Sequence, residues 1–261
     1  MSSEPTLTLF HCLPVPAGDL NDIYEIQPVR MAILHNIILR GLNSMIYYSG
    51  EVTAGTKRHM SFLNYCNRVI YMLNRHHSIE ETIFFPWLET KLGEGAMGGN
   101  VEGHERFQAP LATFSELIEN LRSGKATWDL DTFRKSLYEL AEVLRPHLEE
   151  EIETLRPEKL KDHVPADEFR EKERVAEKQI MKEASLITDT PIQFINGDSV
   201  NGAWFPPLPA PITFLMKYPL WSIHSDWWEF GSCDKHMRVK PQFAAYEPSS
   251  GNMEGNPGLD A

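Results

Sequence analysis

The sequence predicts an all-α protein: an up-down four-helix bundle with a fifth helix and a proline- and aromatic-rich C-terminal extension that wraps the bundle. Three observations support this class. Apolar residues recur at intervals of three and four along four long segments, which is the spacing of one helix face. Glycine- or proline-containing stretches separate these segments. Histidine and glutamate continue two of the apolar stripes, so polar side chains are expected inside the bundle.

Composition and charge restrict the functional class. The chain has 42% hydrophobic residues and a formal net charge of −12, which is ordinary for a globular protein but acidic. Nucleic acid and anionic membranes are disfavoured as partners, because both require clustered Lys and Arg. Three widely spaced cysteines without a Cys-x-x-Cys pair argue against a disulfide framework or an iron-sulfur site. Neither a signal peptide nor a long apolar run is recognisable, so we expect a cytoplasmic protein.

Each bundle helix is predicted from its apolar stripe and its ends. Pro28 suits the first turn of the first helix. The glycine-rich stretch 91–100 interrupts the chain after the second stripe, and Gly124 ends the third. Pro157 ends the fourth. The predicted helices span about 29–49, 60–90, 102–121 and 130–155.

Beyond residue 157 the chain changes in character. Segment 165–186 is charge-rich with apolar residues at loose helical spacing, which predicts a fifth, partly exposed helix. Prolines and aromatics then dominate, as in Trp204–Pro209, and we expect them to wrap the bundle in extended form because they are too apolar for a solvated tail. From about Ser249 the composition is typical of a mobile terminus. The predicted divisions are an N-terminal arm at 1–27, the bundle at 28–157 and the extension at 158–261.

A histidine and glutamate pattern occurs twice along the bundle. In each copy a histidine is followed, one helix later, by a His-x-x-x-Glu pair, whose side chains leave one helix face a turn apart. The residues are His35, His77 and Glu81 in the first copy, and His104, His147 and Glu151 in the second. Four imidazoles and two carboxylates suit iron, manganese or zinc, and two irons sharing two bridging carboxylates use a two-fold repeat most economically. The pattern therefore predicts a dinuclear metal site inside the bundle.

The sequence leaves other interpretations of these residues open. His76 and Glu80 form a second pair in the adjacent register, which we interpret as a solvent-side pair or as groups that flank the ligands. The remaining histidines are expected away from metal, at His11, His59, His163, His224 and His236. Half-buried histidines satisfied by glutamates and carbonyls would need no metal. Burying the carboxylates would then cost roughly several kcal/mol for each unpaired charge.

The motifs of the bundle resemble those of a known family. His76–Pro86, together with His35-Asn36, Glu102–Glu105 and His147–Glu151, resembles the hemerythrin-like, or HHE cation-binding, domain over roughly residues 28–157. The extension is similar to that of extended hemerythrin-like proteins of fungal type. The resemblance implies a hemerythrin-like bundle that holds two Fe ions with an oxo or hydroxo bridge, and O2 as ligand or cosubstrate.

The resemblance also implies a ligand assignment. His35 and His77 would bind one iron, His104 and His147 the other, and Glu81 and Glu151 would bridge them. This chain departs from the oxygen-carrying hemerythrins at two positions. Gln108 stands where they have a further histidine, and Ile152 stands where they bridge through an aspartate. The second iron would then keep an open position, unless Gln108 coordinates through its amide oxygen, and an open pair suits O2 activation better than reversible carriage.

Two functional classes follow from these expectations. In the first, the protein is an O2-dependent oxidase or oxygenase of a small organic substrate, with Gln108 and Glu80 as candidates for handling protons. The extension would then be a substrate wall or a stabilising wrap. In the second, the protein senses or stores O2 or iron without turnover, and metal loading orders the bundle. A zinc ion with a purely structural role is a third interpretation, although six ligands exceed the four ligands of a tetrahedral zinc site. Expected partners are O2 and a small organic substrate, with no nucleic acid and no membrane.

Overall fold

The computed structural model describes residues 7–199 and 210–248, and its regular structure is helical. Five helices form the first part of the chain: α1 (Ile26–Ser49), α2 (Lys57–Ile79), α3 (Phe85–Leu92), α4 (Gly98–Arg122) and α5 (Leu130–Thr154). A single π-helical turn, Glu80–Phe84, joins α2 to α3 without a break. These bounds lie within a few residues of the predicted ones.

Helix ends are set by ordinary capping chemistry. The side chain of Thr56 accepts a hydrogen bond from the main-chain N–H of His59 at the start of α2, and Asp129 accepts one from Thr132 at the start of α5. After α3 the chain turns at Gly93, whose φ of 105° is open to glycine but costly for other residues. The turns therefore follow from the sequence.

The four long helices form the bundle. Helices α1 and α4 each pack against both α2 and α5, so the four surround one common core. At one close approach, a Cβ on Gly41 of α1 would lie 2.8 Å from Cγ1 of Val69 on α2, so only glycine lets these helices meet. The predicted all-α four-helix bundle is confirmed.

The C-terminal extension adds shorter helices: α6 (Pro157–Leu160), α7 (Ala166–Glu183), α8 (Thr190–Asn196), α9 (Ala210–Leu215) and α10 (Ser225–Trp228). Helix α7 is the predicted fifth helix. Trp228, Phe230 and Phe243 are buried in the same apolar cluster as the bundle core. The expected wrapping is therefore confirmed for the described residues, whereas Trp204–Pro209 and the residues from Ser249 onward lie outside them.

The extended conformation expected for this region is wrong. Residues 210–228 form successive α, π and 3-10 turns instead. Proline does not prevent this: Pro211 is the second residue of α9, where no intrahelical N–H is needed, and Pro219 lies within the π-helical turn Met216–Leu220. Within the described ranges, no helix is long and apolar enough to cross a membrane.

A buried charge cluster attaches the extension to α1. Arg40 donates from Nε to Oε1 of Glu247 at 2.9 Å and from Nη1 to the main-chain oxygen of Asn196 at 3.2 Å. Its Nη2 also lies 3.6 Å from Oδ2 of Asp198. All three charged side chains are buried or nearly so. One arginine thus connects the bundle to two separate segments of the extension.

Replacing this arginine should destabilise the whole chain. We expect Arg40→Ala to lower the free energy of unfolding by about 3–5 kcal/mol, because two buried carboxylates lose their counter-charge. Arg58→Ala is the control: Arg58 also pairs with the extension, at Glu229, but its side chain is 44% exposed. Arg58→Ala should lower the free energy of unfolding by only about 0–1 kcal/mol. Chemical denaturation measures the free energy of unfolding of both variants. Equal decreases would show that the Arg40 cluster contributes no more to stability than the exposed Arg58 pair.

Candidate metal centre

The inward face of α2 and α5 carries the same residues in the same register. Leu73 is followed by His76 and Glu80, and Leu144 is followed by His147 and Glu151 at the same intervals. A residue seven positions on lies only about 20° from the starting side chain on a helix, whereas one eight positions on lies about 80° away. Glu80 and Glu151 therefore continue the apolar line into the core, and both are buried.

Four side chains converge at one position of the bundle. His35, His76, Glu80 and Glu151 offer ligand atoms that all lie within 4.8 Å of one another. Nε2 of His35 lies 3.1 Å from Nε2 of His76 and 3.4 Å from Oε2 of Glu151. Nε2 of His76 lies 3.2 Å from Oε1 of Glu80. We call this group the first position.

Three imidazoles converge beside it. His77, His104 and His147 likewise offer ligand atoms within 4.8 Å of one another. The two carboxylates connect the groups, because Oε2 of Glu80 lies 3.8 Å from Nε2 of His104 and Oε2 of Glu151 lies 3.5 Å from Nε2 of His147. We call this group the second position. Each carboxylate therefore faces both positions.

Many polar atoms at this centre are buried without a hydrogen-bond partner among the described residues. They are both ring nitrogens of His77, Nε2 of His104, Nε2 of His147 and all four carboxylate oxygens of Glu80 and Glu151. Buried polar atoms are nearly always paired. Apart from the one protonated ring nitrogen of His77, these atoms carry lone pairs that a metal cation would accept. Imidazole nitrogen with carboxylate oxygen is the donor set of iron, manganese or zinc. The residues present fit a pair of cations.

Electrostatics agree with that fit. Burial, reinforced by the neighbouring His35, lowers the pKa of His76 to about 3, and burial lowers that of His147 to about 4. These imidazoles are neutral at pH 7 and present free lone pairs. Burial also raises the pKa of Glu80 well above its usual value, helped by the charge of Glu151. A cation between the carboxylates would remove that penalty and keep both ionised.

Two imidazoles are oriented by hydrogen bonds at the ring nitrogen that faces away from the centre. Nδ1 of His35 donates to the main-chain oxygen of Leu148 at 2.6 Å, so its Nε2 faces the centre. Nδ1 of His104 donates to Oε1 of Glu81 at 2.7 Å, and its Nε2 likewise faces inward. Such outer hydrogen bonds fix the tautomer and the ring plane of a metal-binding histidine.

The structure corrects the expected position of Glu81. Its side chain is 47% exposed and contacts Nδ1 of His104, on the ring edge that faces away from the centre. Glu80 is 3% exposed and lies at the centre. His76, interpreted from the sequence as one of a solvent-side pair with Glu80 or as a group that flanks the ligands, is largely buried. The reason is register: Glu80 lies two turns from Leu73, and Glu81 is turned away. Matching Leu73 and Leu144 to the histidines three residues later would have found this from the sequence.

Gln108 also lies elsewhere than expected. It is exposed, so the structure does not bring its amide to the centre. The neighbouring Phe107 faces inward instead, and its ring centroid lies 4.5 Å from that of His77 and 5.2 Å from that of His147. His77 supplies an additional imidazole at the second position, rather than joining His35 at the first.

The π turn and one glycine shape the centre locally. Within the turn the main-chain N–H of Phe85 bonds to the carbonyl of Glu80, an i+5 pattern that recurs at functional sites. Helix α7 packs against this turn. On α4, a Cβ added to Gly103 would lie 2.3 Å from Nδ1 of His147. The glycine beside His104 therefore makes room for the ring of His147.

Comparisons with known proteins agree with this architecture. Residues 34–158 match the family model of the hemerythrin HHE cation binding domain. The dimeric xanthone biosynthesis cluster protein R11 of Cryptosporiopsis sp. (strain 8999) is 26% identical over 237 residues, which cover 88% of this chain and 87% of that protein. This alignment is longer than the bundle, so it includes much of the extension. No solved structure matches the chain significantly.

Filling the space at Gly103 should disturb the centre. We expect Gly103→Ala to displace the ring of His147 and to lower the cation content of the purified protein, measured by elemental analysis. Gly99→Ala is the control, because nothing lies within 4 Å of a Cβ there and α4 is the same helix. A Gly103→Ala protein with the cation content of the Gly99→Ala protein would show that the close approach to His147 is unimportant.

Proposed function

We propose that this protein is a dinuclear non-haem iron protein that uses O2 to oxidise a small organic substrate. Its residues 34–158 belong to the hemerythrin HHE cation binding family. The observation that carries the dinuclear part is the pair of buried carboxylates, each facing two groups of imidazoles. A single cation would leave one of those groups, and its buried lone pairs, without a partner.

The proposed ligands follow from the two positions. His35 and His76 would hold the first iron, and His104, His147 and His77 would hold the second. Glu80 and Glu151, which each face both groups, would supply carboxylate oxygens to both. Seven donors exceed the four of a structural zinc, which favours iron over a purely structural role for zinc.

The chain supplies a dry, rigid setting for the metals. When bound, a pair of irons supplies electrons for the reduction of O2. Phe107 packs on three of the imidazoles and the ring of Phe85 lies 5.1 Å from that of His104, so aromatic side chains exclude water from this side. Water exclusion strengthens the electrostatic interactions inside such a site and prevents side reactions. Main-chain and carboxylate acceptors hold His35 and His104 in place.

The substrate class rests on the relative. The name of this relative assigns it to a cluster for dimeric xanthone biosynthesis, and it aligns with the bundle and much of the extension. We infer that this protein also acts in secondary metabolism, on a small organic molecule. The extension would then contribute to the substrate site as well as to the core.

His77 favours a second candidate, O2 binding or sensing without turnover. With His77 as a donor, the second iron has three imidazoles and needs none from Gln108. The position that the resemblance left without a donor on the second iron would then have one, and the first iron would have fewer protein donors than the second. Such a donor set would suit reversible O2 binding.

Metal content tests the ligand set. We expect two irons per chain in the wild type, and about one in His76→Ala, because the first position loses one of its two imidazoles. His77→Ala should also retain less iron. His163→Ala is the control, since this histidine is exposed. If His76→Ala and His163→Ala both keep two irons, His76 is not a ligand.

Spectroscopy under O2 separates the two candidate functions. A reduced, anaerobic sample should develop an oxo-bridged diferric absorption spectrum on exposure to O2, and the spectrum should change again when the true substrate is added and product forms. Reversible loss of the spectrum under vacuum, without product, would favour the binding protein instead. One zinc or no metal would refute the dinuclear proposal.

A further inference from the structure

Glu81 occupies an unusual place between solvent and the metal centre. Its side chain is 47% exposed, yet Oε1 lies 2.7 Å from Nδ1 of the buried His104. At the opposite edge of the same ring, Nε2 lies 3.8 Å from Oε2 of Glu80. The ring of His104 therefore lies between two consecutive glutamates of the π turn, hydrogen-bonded to Glu81 through Nδ1 and 3.8 Å from Glu80 at Nε2.

The other groups around His104 cannot replace this contact. Phe85 and Phe107 lie against the ring, with centroids 5.1 and 5.3 Å away, and neither side chain accepts a conventional hydrogen bond. The two neighbouring imidazoles, His77 and His147, lie on the metal side, in the second position. Among the described residues, the carboxylate of Glu81 is thus the hydrogen-bond partner of Nδ1.

His35 provides an internal comparison. Its Nδ1 donates to the main-chain oxygen of Leu148, which is a neutral acceptor. The corresponding acceptor on His104 carries a negative charge. A carboxylate acceptor makes an imidazole a stronger electron donor to its metal than a carbonyl does, because the partial negative charge on the ring increases. The two positions therefore differ in their outer shell as well as in their number of imidazoles.

We propose that Glu81 is a positioning residue: it fixes the tautomer and ring plane of His104, and its charge makes the second metal position more electron-rich than the first. This inference rests on the proposed function, since it needs metals at both positions. It explains why two consecutive glutamates face one histidine, with Glu80 as bridge and Glu81 as outer support. The proposal also assigns a structural role to the π turn, because this turn carries both carboxylates.

Two substitutions separate charge from hydrogen bonding. Glu81→Gln keeps an oxygen that accepts from Nδ1 but removes the charge, and Glu81→Ala removes both. Glu150→Gln is the matched control: it removes one charge directly beside Glu151, but its side chain is 63% exposed and pairs with Arg106. The full-length, iron-loaded protein is used throughout. Readouts are iron retention against a competing chelator, midpoint potential and the Mössbauer spectrum of the two irons.

The expected results form a graded series. Glu81→Gln should keep both irons, raise the midpoint potential and change one of the two Mössbauer signals, because the imidazole donates less charge to one metal. Glu81→Ala should in addition weaken the affinity for one iron by roughly 10–100-fold. Glu150→Gln should leave potential, spectrum and retention as in the wild type.

Three outcomes would overturn the proposal, and they differ in what else they refute. If Glu81→Gln has the same potential and spectrum as Glu150→Gln while the wild type holds two irons, Glu81 has no electronic role and the proposed function stands. If Glu81→Gln releases iron to the same extent as Glu80→Gln, Glu81 is itself a ligand. If the wild type does not hold two irons, the proposed function fails together with this inference.

Discussion

The burial of two carboxylates side by side is the constraint on which the rest of the centre depends. Glu80 and Glu151 lie in a core whose other layers are leucine, isoleucine and phenylalanine. Two unpaired carboxylates would be strongly unfavourable there. Cations bound between them would offset this cost, which requires neutral imidazoles around them and a rigid frame that keeps all seven side chains in register. The lowered pKa values of His76, His77 and His147 supply the first condition, and the packed helices supply the second.

The fold was largely predictable because helix periodicity and helix-ending residues are local signals. The stripe that includes Leu73 and the glycines at 93 and 124 defined helices whose bounds the structure reproduces within a few residues. The Pro- and Trp-rich extension was less predictable. Its apolar character indicated burial, but its helical turns depend on contacts with α1 and α2 that no local pattern reveals.

At the centre, the structure places His35, His77, His104, His147 and Glu151 close together, whereas Glu80 and not Glu81 lies beside them. Tandem residues, His76-His77 and Glu80-Glu81, offer two registers that both satisfy an i to i+4 rule. Only the rotation relative to Leu73 distinguishes them, and that requires the apolar line as a reference. The grouping of His77 with His104 and His147 was not predictable in this way, because it depends on how α2, α4 and α5 approach one another in space.

The extension is connected to the centre rather than merely attached to the bundle. Helix α7 packs against the π turn, and Ala176 of α7 lies in an apolar cluster with Ile79 and Ile83 on either side of Glu80. A turn with i+5 bonds is less stable than a regular helix, so packing from outside helps to hold it. Since Glu80 and Glu81 both belong to this turn, α7 supports an inner and an outer carboxylate at once. If the two irons bind as proposed, the first has fewer protein donors and the second has three imidazoles with an anionic outer partner. Ligand exchange is then favoured at the first position and charge donation at the second, and the extension stabilises the segment that separates these roles.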